Sequence, residues 1–161
     1  MNITICPIKQ LYLLEQPQGQ GGVAAILCSS YPIHEKKVSW VSQKLILNFY
    51  DTINIHDPQA FCPELAEQIR AFVASLDRQT ELYVCCDSGE SRSTAIAAAI
   101  YRYMRQDEMM IWKNPHYHPN PLVYQLQCQA FGVPVSRFCV RYRTWLNHRA
   151  RSNAIKRSRK G

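Results

Sequence analysis

The chain has no acidic residue after Glu108. Residues 1–108 hold nine Lys and Arg against twelve Asp and Glu, whereas residues 109–161 hold ten basic residues and no acidic one. The net charge of +7 thus joins a mildly acidic body to a strongly basic final third. Such a segment suits an acidic partner: nucleic acid, an anionic membrane or an acidic substrate. The last dozen residues are poor in aromatics, which argues against base stacking there. Also missing is an apolar run of the ~20 residues that a transmembrane helix needs. The start, Met1-Asn2-Ile3-Thr4-Ile5, lacks a basic stretch leading into an apolar one, so no secretory signal is expected. The seven cysteines (6, 28, 62, 85, 86, 128 and 139) are odd in number and follow no disulfide or zinc spacing. That pattern excludes a disulfide-stapled scaffold and predicts free thiols in the reducing cytoplasm. No internal repeat is visible. At 161 residues the chain reads as one domain over 1–147 with a basic tail over 148–161, disordered or a frayed helix end.

What is present is concentrated in Cys86-Asp87-Ser88-Gly89-Glu90-Ser91-Arg92-Ser93. An apolar run, Glu81 to Cys85, precedes it and an alanine-rich run, Thr94 to Tyr103, follows, so strand, loop and helix start adjoin. A loop curling into a helix N-terminus gathers backbone N–H groups under the positive end of the helix dipole. The cradle formed by residues 87–92 fits a phosphate. The same potential favours the thiolate of Cys86. Gly89 permits backbone angles closed to other residues. Arg92 offers a bidentate fork to two phosphate oxygens, and Ser93 can donate toward the sulfur. Nucleophile, anion cradle and fixed cation together suit phosphoryl transfer by covalent catalysis.

Cys-x5-Arg followed by Ser, with Gly89 and Ser91 inside, resembles the signature of the cysteine-dependent protein tyrosine phosphatases. The dual-specificity branch, with its Gly-x-Ser-Arg-Ser ending, is the most similar. The resemblance implies Cys86 as nucleophile, Arg92 as phosphate-binding arginine, and Ser93 as the hydroxyl that helps break the cysteinyl-phosphate. It implies that Asp87, Ser88, Gly89, Glu90, Ser91 and Arg92 bind substrate through their main-chain N–H groups. It departs from the family at Cys85, where a histidine that tunes the thiolate is usual, and at Asp87 and Glu90, which put negative charge into an anion-binding loop. The family's general acid is an aspartate after an earlier strand. Asp51, directly after Lys44 to Tyr50, is favoured; Asp57, in His56-Asp57-Pro58, is the rival and also suits a turn or helix cap. The implied activity is a metal- and cofactor-independent phosphomonoesterase acting on phosphorylated proteins, phosphotyrosine foremost. The alternatives are a phosphoinositide, nucleotide or RNA 5′-phosphate substrate, and a catalytically inactive phosphate-binding module.

The remaining patterns predict an α/β fold of three layers, a largely parallel sheet of about 4–5 strands flanked by helices. Strands are expected at Ile3–Cys6, Gly22–Cys28, Lys44–Tyr50 and Leu82–Cys86, and a loop at Gln16–Gly22. Helices are expected at Pro63–Leu76, Thr94–Met104 and Leu122–Phe131, the last capped by Asn120 with Pro121 in its first position. Tyr142, Trp145 and Leu146 are expected to pack a terminal helix on the core. His116 and His118 have no third ligand at fitting spacing, so no metal site is predicted; their loop is placed near the active-site face. Cys85, or another cysteine, is a candidate partner for oxidised Cys86.

Overall fold

In the computed structural model, which describes residues 1–14 and 22–159, the strands are Asn2–Pro7 (β1), Val23–Ser29 (β2), Gln43–Asn48 (β3) and Glu81–Cys86 (β4). They form one wholly parallel sheet in the order β1-β4-β2-β3. The central pair, β2 and β4, is buried almost throughout, which accounts for its near-continuous apolar sequence. The helices are Ile8–Leu11 (α1), Pro63–Ser75 (α2), Arg92–Tyr103 (α3), Met109–Trp112 (α4), Pro121–Ala130 (α5) and Arg137–Ser158 (α6), with a 3₁₀ turn at Glu35–Val38. Of the loop expected at Gln16–Gly22, all but Gly22 lies outside the described residues, as do the final two residues of the tail.

The two faces of the sheet are covered unequally. Ala24, Ile26 and Cys28 of β2 and Leu82, Val84 and Cys86 of β4 face the larger core, with Ile69, Ile96, Ile100, Trp112 and Tyr124. Ala25, Leu27, Tyr83 and Cys85 face a smaller one closed by Ile8, Leu11, Val38 and Val41. This alternation is the two-residue period of a strand. It places vicinal Cys85 and Cys86 on opposite faces. Alanines 95, 97, 98 and 99 of α3 are fully buried, letting the helix lie close against the sheet. Burying Ile96 and Ile100 fully contributes about 1.5–3 kcal/mol each.

The last helix departs from expectation. It continues through Ser158, into the stretch expected as a basic tail, and is capped at its start by Ser136, whose side chain accepts from Cys139 N. Tyr142 and Trp145 do not pack on the core: each is 51% exposed. The attachment is largely polar. Buried Glu108 accepts from Arg143, with Nε at 2.8 Å, and from Tyr124 Oη at 2.7 Å, and lies 3.5 Å from Arg102. Buried Asn147 donates through Nδ2 to the carbonyls of Trp112, Asn114 and Tyr117. Only Val140 adds a buried apolar side chain from this helix. The chain turns toward polar anchors here because its inward positions 143 and 147 are Arg and Asn.

Candidate active site

The loop 87–91 leaves the C-terminal end of central strand β4 and enters α3 at Arg92, the position where open parallel sheets bind ligands. Gly89 has φ +74, and a Cβ there would lie 2.6 Å from the Pro7 nitrogen and 2.8 Å from the Cys6 carbonyl carbon. Backbone on both sides leaves room for glycine alone, so the end of β1 fixes the curl of the loop. Thr94 Oγ1 donates to the carbonyls of Glu90 and Ser91, tying the first turn of α3 back to the loop. Among the described residues, the backbone N–H groups of Ser88, Gly89, Glu90 and Ser91 donate to no protein acceptor. Four free amides at the start of a 12-residue helix are an arrangement that can bind an anion.

Cys86 is 1% exposed, and its Sγ is hydrogen-bonded to Ser93 Oγ at 3.1 Å. Arg92 is 4% exposed. Its Nη1 donates to Phe49 O at 2.7 Å and Ser30 Oγ at 3.1 Å, and its Nη2 donates to Asp87 Oδ2 at 2.6 Å. Its Nε is buried without a partner among the described residues. Of five guanidinium hydrogens, three are used; Nε–H and one on Nη2 remain. Nε and Nη2 share one edge of the guanidinium plane, the edge that forks onto two oxygens of an oxyanion. A buried unpaired donor is costly unless a ligand meets it, and this one lies beside the free loop amides.

The negative charge of Asp87 in the loop is taken up by Arg92. Burial alone would raise its pKa, but hydrogen bonds from Ser29 Oγ (2.7 Å), Arg92 and Ser30 N (3.3 Å) and the Arg92 charge outweigh it, holding the carboxyl below its ordinary value. Asp87 thus orients the arginine from outside the free edge. Glu90 is exposed, with Oε2 3.7 Å from His118 Nδ1. His118 N donates to Glu90 O and Asn120 N to Ser91 O, so the Pro- and His-rich segment lies against the loop. His116 is exposed, its N–H bonded to Asn114. Among the described residues no group of three His, Cys, Asp or Glu side chains is arranged to hold a metal ion.

Of the two candidate acids, the structure joins Asp51 to the loop. Its Oδ1 accepts from Ser91 Oγ at 2.9 Å and from Asn120 Nδ2 at 2.8 Å, while the exposed side of the residue faces solvent. Asp57 instead closes a local turn through Gln59 N at 2.9 Å and has no bond to the loop. Four participants were not picked out from sequence. Ser29, Ser30 and the Phe49 carbonyl hold Asp87 and Arg92, and Asn120 links Asp51, Thr52 and the N-terminus of α5. Asn120 was legible as a cap, but its second amide bond reaches 69 residues back. The serines become visible only once β2 is known to adjoin β4.

The cysteines divide by face. Cys85 Sγ lies 3.4 Å from Cys6 Sγ, on the side of the sheet away from Cys86. The hydrogen bond with Cys6 and burial push the Cys85 thiol up. Cys85 is therefore oriented away from Cys86. Cys28, the β-register partner of Cys86, shares its face, and burial raises its pKa. None of the seven cysteines is disulfide-bonded.

No protein-family model matches this sequence, and no curated protein matches it. Among solved structures, the crystal structure of PTPMT1 in complex with PI(5)P superposes with a TM-score of 0.54, covering 81% of this chain and 90% of that one at 11% identity. At that identity the likeness is one of fold. The parallel sheet, the loop after its central strand and the helices around it are those of a tyrosine-phosphatase-type α/β fold.

Proposed function

We propose that this protein is a metal-independent phosphomonoesterase that works through a cysteinyl-phosphate on Cys86. The observation that carries the reading is the free Nε/Nη2 edge of buried Arg92 beside an unpaired row of loop amides and a cysteine bonded to serine. Cys86 Sγ attacks phosphorus in line; the S–P bond forms as the P–O bond to the leaving group breaks. Arg92 and the amides of residues 87–92 hold the three equatorial oxygens, supplying the positive field. Asp51, placed at the loop by Ser91 and Asn120, gives its proton to the leaving oxygen. Water then attacks phosphorus, Asp51 takes back a proton, and sulfur departs as thiolate with a hydrogen bond from Ser93. Cys85 takes no part in this chemistry.

The favoured substrates are phosphorylated proteins, phosphotyrosine or dual-specificity. The Asp87 and Glu90 carboxylates at the loop, 36% and 50% exposed, disfavour densely phosphorylated headgroups. A lipid bearing one phosphomonoester is the second reading, supported by PI(5)P in the complex of the structurally similar PTPMT1. The test is initial-rate hydrolysis of p-nitrophenyl phosphate across roughly pH 5–8 with EDTA and reductant. Turnover that survives chelation and disappears in Cys86→Ser is expected. An inactive wild type that still binds phosphate would leave only a binding module.

A further inference from the structure

We propose that the outer face of α6 docks on an anionic lipid bilayer. This goes beyond the phosphatase reading and does not depend on it. The helix spans 22 residues, about 33 Å, and contains seven Lys and Arg and no acid. Arg143 is spent on Glu108; the other six basic residues face wholly or partly outward. Between them stand large apolar side chains in water: Phe138 at 79% exposure, Tyr142 at 51%, Trp145 at 51% and Ile155 at 52%. Positions 138, 142, 145 and 149 follow helical spacing and form one stripe. Tyr142 and Trp145 are stacked at 6.0 Å, and the Arg149 guanidinium lies 5.5 Å over the Trp145 ring.

Charge complementarity calls for an anionic occupant. The apolar residues select among anions. Phe138 and Ile155 have no polar tip, and a phosphate backbone offers them nothing, whereas a headgroup–acyl boundary takes both. The rings of Tyr142 and Trp145 are stacked on each other and Arg149 lies over Trp145, which leaves less open ring surface for bases. Trp and Tyr flanked by Arg and Lys are the residues that favour a bilayer interface. A groove of about 400 Å³ runs along this face, lined by Pro121, Val140, Arg141, Thr144, Trp145 and His148. It is apolar below and basic at its rim, the polarity a lipid headgroup and chain would need. Pro121 adjoins Asn120, which holds Asp51, so the docking face borders the catalytic loop.

The test uses the full chain and Cys86→Ser with phosphatidylcholine vesicles, with and without about one-third phosphatidylserine. Sedimentation with the anionic vesicles alone is expected, weakening as salt rises. Trp145 is the exposed tryptophan, so its emission should shift to the blue on binding and not in Trp145→Phe. Arg141→Glu/Arg149→Glu and Phe138→Ser/Trp145→Ser should each reduce the bound fraction roughly tenfold or more, with unchanged circular dichroism. Failure of the wild type to sediment with anionic vesicles overturns the proposal. So does binding that both double variants retain, binding of a single-stranded oligonucleotide in place of vesicles, or a dimer that these substitutions dissolve. Binding by Cys86→Ser keeps this result separate from the fate of the phosphatase reading.

Discussion

The loop after β4 and the helix α6 are both rich in charge, and they use it in opposite ways. At the loop, polar groups turn inward. Arg92 is nearly buried, three of its hydrogens are held by Phe49, Ser30 and Asp87, and the remaining edge is aimed by those anchors. At α6, the polar side chains of Arg143 and Asn147 turn inward beside Val140 and act as fasteners; the other charges face wholly or partly outward. Arg92 keeps a buried edge without a protein partner beside the loop amides, whereas buried Arg143 is tied to Glu108. The same residue type, arginine, serves both ends, and its neighbours decide which.

The largest effect that would break this comparison is expected for Arg92→Lys. An ammonium cannot fork onto two oxygens, so kcat/KM should fall on the order of 10³-fold, about 4 kcal/mol. Steady-state kinetics on an aryl phosphate measure it. A loss below tenfold would mean the free edge does not meet the phosphate. Glu108→Gln should do the reverse: stability falls by about 3 kcal/mol because Arg143 loses its buried carboxylate, while any turnover by the folded protein stays within about twofold. Thermal unfolding followed by circular dichroism checks the first part, a drop of roughly 6–12 °C.

Next in size is Asp51→Asn, expected to lower kcat and kcat/KM about 10²-fold each for a poor leaving group, measured by steady-state kinetics. Asp57→Asn should leave both within about twofold. Equal losses in the two variants would undo the assignment. The smallest effect concerns stability and pH. The native pKa of Asp87 is depressed, so its contribution is full above the unfolded value near 4 and declines as pH falls toward the lowered native one. Denaturant titrations should therefore show the wild type's advantage over Asp87→Asn constant from neutrality to about pH 5 and shrinking below. An advantage that grows with acid would reverse the sign.

Much of the sheet half was legible because its signals are local. The strands at Ile3–Cys6 and Leu82–Cys86, the proline-started helix at Pro63 and the loop from Cys86 to Ser93 follow from period, turn chemistry and spacing. What was not legible depends on contacts distant in sequence. Ser29, Ser30 and the Phe49 carbonyl reach Arg92 only because β2 and β3 lie beside β4 in the order β1-β4-β2-β3. Asp87 looked like a flaw in an anion loop until its bonds to Ser29 and Arg92 were seen. Tyr142 and Trp145 misled because bulky aromatics on a helix usually face a core, whereas here the inward positions are Arg143 and Asn147, fixed by Glu108 and three carbonyls.

The central claim is that Cys86 becomes phosphorylated. Nitrophenolate leaves without help from an acid, so Ser93→Ala should form the intermediate normally and break it slowly. Acid quenching of that variant during turnover of p-nitrophenyl phosphate, followed by proteolysis and mass spectrometry, is the direct test. Phosphate on the peptide carrying Cys86, absent when Cys86 is also replaced by Ser, is the predicted result. Turnover without phosphocysteine, or phosphate on another residue, would contradict the account.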